Sequence, residues 1–83
     1  MARFMDVHTG RKGLTEDQLM QEHRKDLEIQ STEQVRFVQA WADPVSGKIF
    51  CLSEGPSKDA VRRVHEKAGH RTDEIYEIPL TVK

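Results

Sequence analysis

With one cysteine, Cys51, the chain can form no internal disulfide and no two-thiol redox couple. A lone thiol fits a reducing compartment, so the expected location is the cytoplasm. No apolar run reaches the ~18 residues of a membrane helix. The opening Met1–Asp6 meets an acid too soon for a secretory leader, so no membrane partner is expected. Neither sign of charge dominates: 13 Lys and Arg stand against 14 Asp and Glu, for a net charge of −1. That balance gives no general electrostatic attraction to nucleic acid. Arg11-Lys12 and Arg62-Arg63 are short basic pairs offset by neighbouring acids and read as solvated surface. There is no Ser-His-Asp order, P-loop, dinucleotide-binding glycine pattern or zincin motif. Internal repeats and low-complexity linkers are missing as well, so residues 1–83 are read as one domain. At this size only roughly 60–65% of the unfolded surface can be buried, and association would help such a thin core.

What the chain does have is imidazole: His8, His23, His65 and His70. Neutral imidazole is the commonest protein ligand for zinc, nickel and copper, and its ordinary pKa lies near neutrality. Asp26 follows His23 by one helical turn, and Gly69 separates His65 from His70. No two of the four stand at zinc-finger or zincin spacing, so any shared site must be assembled by the fold.

The punctuation of the sequence gives the order βαββαβ. Arg3–His8 reads as a strand, followed by the glycine-bearing loop Thr9–Gly13. Thr15-Glu16-Asp17-Gln18 has the form of a capping box, and the helix it opens runs to about Gln30 with Leu19, His23 and Leu27 at four-residue steps. Val35–Ala42 and Lys48–Ser53 form a hairpin around the turn Asp43–Gly47. Pro56-Ser57 opens a second helix through about Ala68, with Val61, Val64, His65 and Ala68 in one stripe and Gly69 as its stop. Glu74–Val82 is the last strand, with Pro79 arguing for an edge or a bulge. This is the split βαβ pattern of a ferredoxin-like α+β sandwich, an antiparallel sheet in the strand order 4-1-3-2 with both helices on one face.

Alternation along the strands then assigns faces. The apolar pair Met5 and Val7 is expected against the helices, which sends Phe4, Asp6 and His8 to the open face with Phe37, Trp41 and Ile49. Gln39 and Glu77 are expected to join them there. Such an apolar face predicts a homodimer through the open side of the sheet. On the covered side, His23 and His65 are placed to approach each other, with Asp26 positioned to orient an imidazole. His70 follows the second helix, where an imidazolium favours the helix C-terminus. Cys51 reads as a small buried apolar residue.

The segments Phe4–His8, His23–Leu27, Ile49–Pro56, Val64–His70 and Glu74–Glu77 resemble those of small bacterial ferredoxin-like proteins described as nickel-binding. The likeness covers about residues 3 to 82. It implies a homodimer that holds Ni²⁺ at its surface and serves in sequestration or tolerance. Under it, His8, His23, His65 and His70 are the matching imidazoles, and Asp26, Asp6 or Glu77 the matching oxygen donors. Zn²⁺, Co²⁺ and Cu²⁺ accept the same donors. Two other readings use the same fold. One is a dimeric α/β-barrel-type enzyme, a cofactor-free monooxygenase or isomerase, with His8, Trp41 and Cys51 lining a pocket on the open sheet face. The other is an interaction module whose histidines report metal or pH to a partner.

Overall fold

The computed structural model describes all residues 1–83. Four strands, β1 (Ala2–His8), β2 (Arg36–Asp43), β3 (Lys48–Gly55) and β4 (Glu74–Glu77), form one sheet in the order β2-β3-β1-β4, every neighbouring pair antiparallel. Read from the other edge, this is the 4-1-3-2 order that the sequence predicts. Two helices, α1 (Glu16–Ile29) and α2 (Lys58–Lys67), complete a ferredoxin-like α+β fold.

Local chemistry sets the helix ends. The Gln18 N–H donates to the Thr15 hydroxyl at 3.2 Å, and the Thr15 N–H donates to the Gln18 amide oxygen at 3.0 Å. This capping box satisfies two otherwise orphaned donors, and a helix cap is typically worth ~1 kcal/mol. A 3₁₀ turn, Gln30–Glu33, tightens the far end of α1. The Ser57 hydroxyl caps α2 by accepting from the Ala60 N–H at 3.1 Å. Between β2 and β3, Gly47 takes φ +79° and its carbonyl accepts from the Arg11 N–H at 2.9 Å. A Cβ on Gly47 would stand 2.7 Å from the Lys12 nitrogen, so the loop before α1 can lie against this turn only because the residue is glycine.

The facing of the strands reverses the expectation for β1. Phe4, Asp6 and His8 point to the helices, where Asp6 meets His65 of α2. By alternation, Met5 and Val7 belong to the outer face. A rule that sends apolar residues inward fails here because the inward polar residues bring their own partners. Phe37 and Ile49, also expected outside, are core residues with Phe4, Cys51, Val61 and Val64. A bulge between Phe37 and Gln39 shifts the register of β2 against β3. It lets Phe37 and then Ala40 and Ala42 pack inward, and leaves Trp41 opposite Phe50 on the outer face. Glu77 pairs with Phe4 at the edge of the sheet and is exposed, so it joins neither the open face nor any cluster. The last strand stops at Glu77. Beyond it the Ile78 N–H reaches back to the Arg3 carbonyl at 2.9 Å and the Thr81 hydroxyl accepts from the Arg3 guanidinium at 3.3 Å, while Pro79 supplies no donor.

The outer face carries Met5, Phe50 and Leu52 beside Trp41 and Tyr76, the last two 40% and 50% exposed. Inside, α2 contributes Ala60, Val61 and Val64, all fully buried. Burial of each valine is worth roughly 1.5–3 kcal/mol. Helix α1 differs: the one residue of its fourteen that is fully buried is Asp26. Leu27, expected in its inner stripe, is 40% exposed, and Leu19 and Ile29 pack only partly against the core.

Candidate metal centre

A charge is buried only with partners, and Asp26 and Asp6 have imidazoles. His65 lies between them, completely shielded from solvent, with Nε2 2.6 Å from Asp6 Oδ2 and Nδ1 3.1 Å from Asp26 Oδ1. A carboxylate oxygen only accepts, so the His65 Nε2–H donates to Asp6, while Nδ1 stands beside the Asp26 carboxylate as a charge pair outside hydrogen-bond geometry. Burial works against that charge, but Asp26 and Asp6 outweigh it and raise the His65 pKa to about 9. Burial likewise works to raise the Asp6 carboxyl, yet the hydrogen bonds and charges of His65 and His8 hold it below the ordinary aspartate value.

His8 occupies the end of β1. Its Nδ1–H donates to the Arg71 carbonyl at 2.9 Å, which fixes the ring with Nε2 turned towards Asp6. That nitrogen stands 3.1 Å from Asp6 Oδ1. His70 is brought over by the chain that follows α2, where its N–H donates to the His65 carbonyl at 3.1 Å and the Asp73 N–H to the Val7 carbonyl at 2.9 Å. His70 Nε2 lies 3.5 Å from Asp26 Oδ1, and burial lowers the pKa of its ring. The result is an alternating run, His8, Asp6, His65, Asp26, His70, threaded through the core.

Several atoms of this run are buried without a hydrogen-bond partner: Asp6 Oδ1, His8 Nε2, Asp26 Oδ1, His65 Nδ1 and His70 Nε2. His23 Nδ1 and the Ser53 hydroxyl share that state. Unpaired buried polar atoms cost roughly 1–3 kcal/mol each, so a concentration of them marks a place where another group belongs. Between α1 and the sheet lies a small chamber of about 10 Å³, lined by His8, His23, Asp26, His70, Cys51 and Glu22 among others. That is the space of one water or one ion. Two sets of donors converge closely enough to hold a metal: Asp26, His65 and His70, and Asp6, His8, Cys51 and His65, the atoms of each set within 4.8 Å of one another. Burial, then the Asp6 and Asp26 carboxylates, push the Cys51 thiol far up, so it stays protonated unless a metal displaces the proton.

Of the residues singled out from sequence, His8, Asp26, His65 and His70 come together, and His23 lines the same chamber. His8 does so from the helix side of the sheet, not from the open face. The expected approach of His23 to His65 is replaced by His70 as the neighbour of His65, their ring centroids 5.3 Å apart. His8 and Cys51 face the chamber while Trp41 lies on the opposite side of the sheet, so the three do not line one pocket. Asp6, expected with His8 on the open face, likewise lies on the helix side, against His65. Their spacing of two put both side chains on one face of β1, as expected, but nothing in the strand itself says which face is covered.

A ferredoxin-like domain built around a buried run of imidazoles and carboxylates defines the class of this protein. The chain belongs to the nickel responsive SCO4226-like protein family, whose model matches residues 4–78. A crystal structure of SCO4226 from Streptomyces coelicolor A3(2) is similar to it, with a TM-score of 0.96 and 62% sequence identity over 98% of this chain and 100% of that one. No curated protein matches the sequence.

Proposed function

We propose that this protein binds Ni²⁺ at the buried cluster and serves, as a cytoplasmic homodimer, in nickel sequestration or tolerance without catalytic turnover. The observation that carries the reading is the convergence of unpartnered donors: Asp26 Oδ1, His65 Nδ1 and His70 Nε2. They are separated by 3.1 Å and 3.5 Å along the Asp26 carboxylate. Adjacent ligands held ~2.1 Å from one ion stand roughly 3.0–3.4 Å apart, so this spacing suits a shared ion with small adjustments. His8 and His23 complete the donor set around the chamber. Ions of the Zn²⁺, Co²⁺ and Cu²⁺ type suit the same ligands, and the nickel-responsive family supports nickel among them. Metal entry expels the His65 proton, which makes affinity fall as pH drops. Dimerisation uses the outer sheet face, whose Trp41 and Tyr76 are exposed beside further apolar residues.

Calorimetric titration of metal-free protein with Ni²⁺, with Zn²⁺ in parallel, tests this reading. About one ion per chain is expected, with affinity reduced roughly 100-fold or more in Asp26→Asn and His70→Ala. Unchanged binding in both variants, or full affinity at pH 5, removes the cluster as the site.

A further inference from the structure

Resting on the dimer reading alone, we propose that the segment Ile78–Lys83 is an exchange arm, which crosses to the second copy and lays a row of apolar side chains on that copy's outer sheet face. Tyr76, Ile78, Leu80 and Val82 recur at every second residue, the period that puts side chains on one side of an extended chain. In β4, Ile75 stands opposite Asp6 and packs against the core, so Tyr76 is turned to the outer face and the row continues from there. The chain itself leaves the row bare. Leu80 is 86% and Val82 96% exposed, the most exposed large apolar side chains of the molecule.

Two features keep the arm out of its own sheet. Pro79 has no N–H with which to carry the ladder past the Ile78 bond to Arg3. The Arg3 guanidinium, donating to the Thr81 hydroxyl at 3.3 Å, holds the arm at the β4 edge, while Trp41 of the same chain lies on β2, at the opposite edge. A continuous apolar row left in water marks a surface that another surface covers. The outer face has the matching character, with Trp41 opposite Phe50 and Leu52 farther along β3. A second copy is the occupant because it brings both halves at once. A two-fold axis at the outer face sets each arm against the sheet of the other chain, so one contact is made twice. The reach is sufficient: six extended residues span ~20 Å, and four strands ~4.8 Å apart are ~14 Å across. A stable pair buries roughly 800 Å² on each side. Trp41 and Tyr76, 40% and 50% exposed, offer part of that area, and the nearly bare Leu80 and Val82 add to it.

Sedimentation equilibrium over a dilution series of the full chain tests the arm. Leu80→Asp combined with Val82→Asp puts two charges into the row from exposed positions, and circular dichroism verifies the fold. Each pair then loses four apolar side chains from its interface, so the dimer dissociation constant is expected to rise about 100-fold or more. Lys83→Ala, beyond the row, is expected to leave it within about twofold. A mixture of isotope-labelled and unlabelled chains then shows which chain each arm touches. Nuclear Overhauser contacts are expected from the Leu80 and Val82 methyls of labelled chains to the Trp41 indole of unlabelled ones. An unchanged dissociation constant in the folded double variant overturns the arm and leaves the dimer in place, as do contacts confined to one chain. A wild-type protein that is monomeric at every concentration overturns the dimer and the arm together.

Discussion

The imidazolium of His65 makes the stability of the metal-free protein depend on pH in a calculable way. Its pKa is raised from 6.5 to about 9 on folding. The folded state therefore keeps a proton that the unfolded chain releases, and the stabilisation is complete below pH 6.5 and lost as pH rises through 9. At roughly 1.36 kcal/mol per unit of pKa shift, the difference amounts to ~3 kcal/mol, a large part of the ~5–15 kcal/mol that holds a domain folded. The other shifted groups act mainly at the edges of this window or beyond it. The lowered Asp6 pKa contributes stability above the ordinary value of 3.8 that is lost on further acidification. Burial depresses His70, so its penalty applies to acid and fades as pH rises towards 6.5. The raised Cys51 pKa costs stability as the unfolded thiol ionises around its ordinary value of 9.0, which adds to the fall at the top of the range. Urea unfolding in the presence of a chelator, at half-unit steps from pH 6 to 9, should show ΔG falling by up to ~1.4 kcal/mol per unit. The same series on Asp6→Asn, which removes one of the two carboxylates, should start lower and fall less steeply. A flat wild-type profile across this range would falsify the assignment of a sealed imidazolium.

Three substitutions extend the reasoning to the rest of the molecule. Phe4→Ala empties the centre of the core, where the ring is 2% exposed, and should cost ~3–5 kcal/mol in a urea titration; a shift under 1 kcal/mol would mean the site collapses far more easily than its packing indicates. Trp41→Lys, on the outer face, should convert the proposed dimer to a folded monomer by sedimentation; a variant that stays dimeric relocates the interface, and a monomeric wild type removes it. Gly47→Ala must hold φ +79° with its Cβ against the Lys12 backbone, so a loss of at least about 1–2 kcal/mol is expected, and wild-type stability would show that the loop moves aside freely.

Features written in adjacent residues were legible. The Thr15–Gln18 capping box, the Asp43–Gly47 turn and the stop at Gly69 all act over a few residues, and the order of elements with its 4-1-3-2 sheet followed from them. Facing was the weak point, for two physical reasons. In β1 the choice lay between burying Met5 with Val7 and burying Phe4 with Asp6 and His8. What decides it is an ion pair between residues 59 positions apart, which no local pattern displays. In β2 a single bulge changes parity in mid-strand, so Phe37 and Trp41 end on opposite faces although their spacing of four puts them on the same one. The site shows the same division. Its histidines and Asp26 were recognisable by type, but their grouping depended on the inward turn of β1 and on the loop that returns His70 over His8, their ring centroids 5.6 Å apart.

The two helices are held by different forces, and so they answer differently to temperature and solvent. Apolar burial anchors α2 through Ala60, Val61 and Val64, a grip that weakens on cooling and tightens in sulfate or phosphate. The buried anchor of α1 is a carboxylate beside an imidazolium, too deep for mobile ions to screen well and dependent on the proton between them. Chilling the protein therefore loosens α2 first, whereas alkali loosens α1, the helix that walls the chamber.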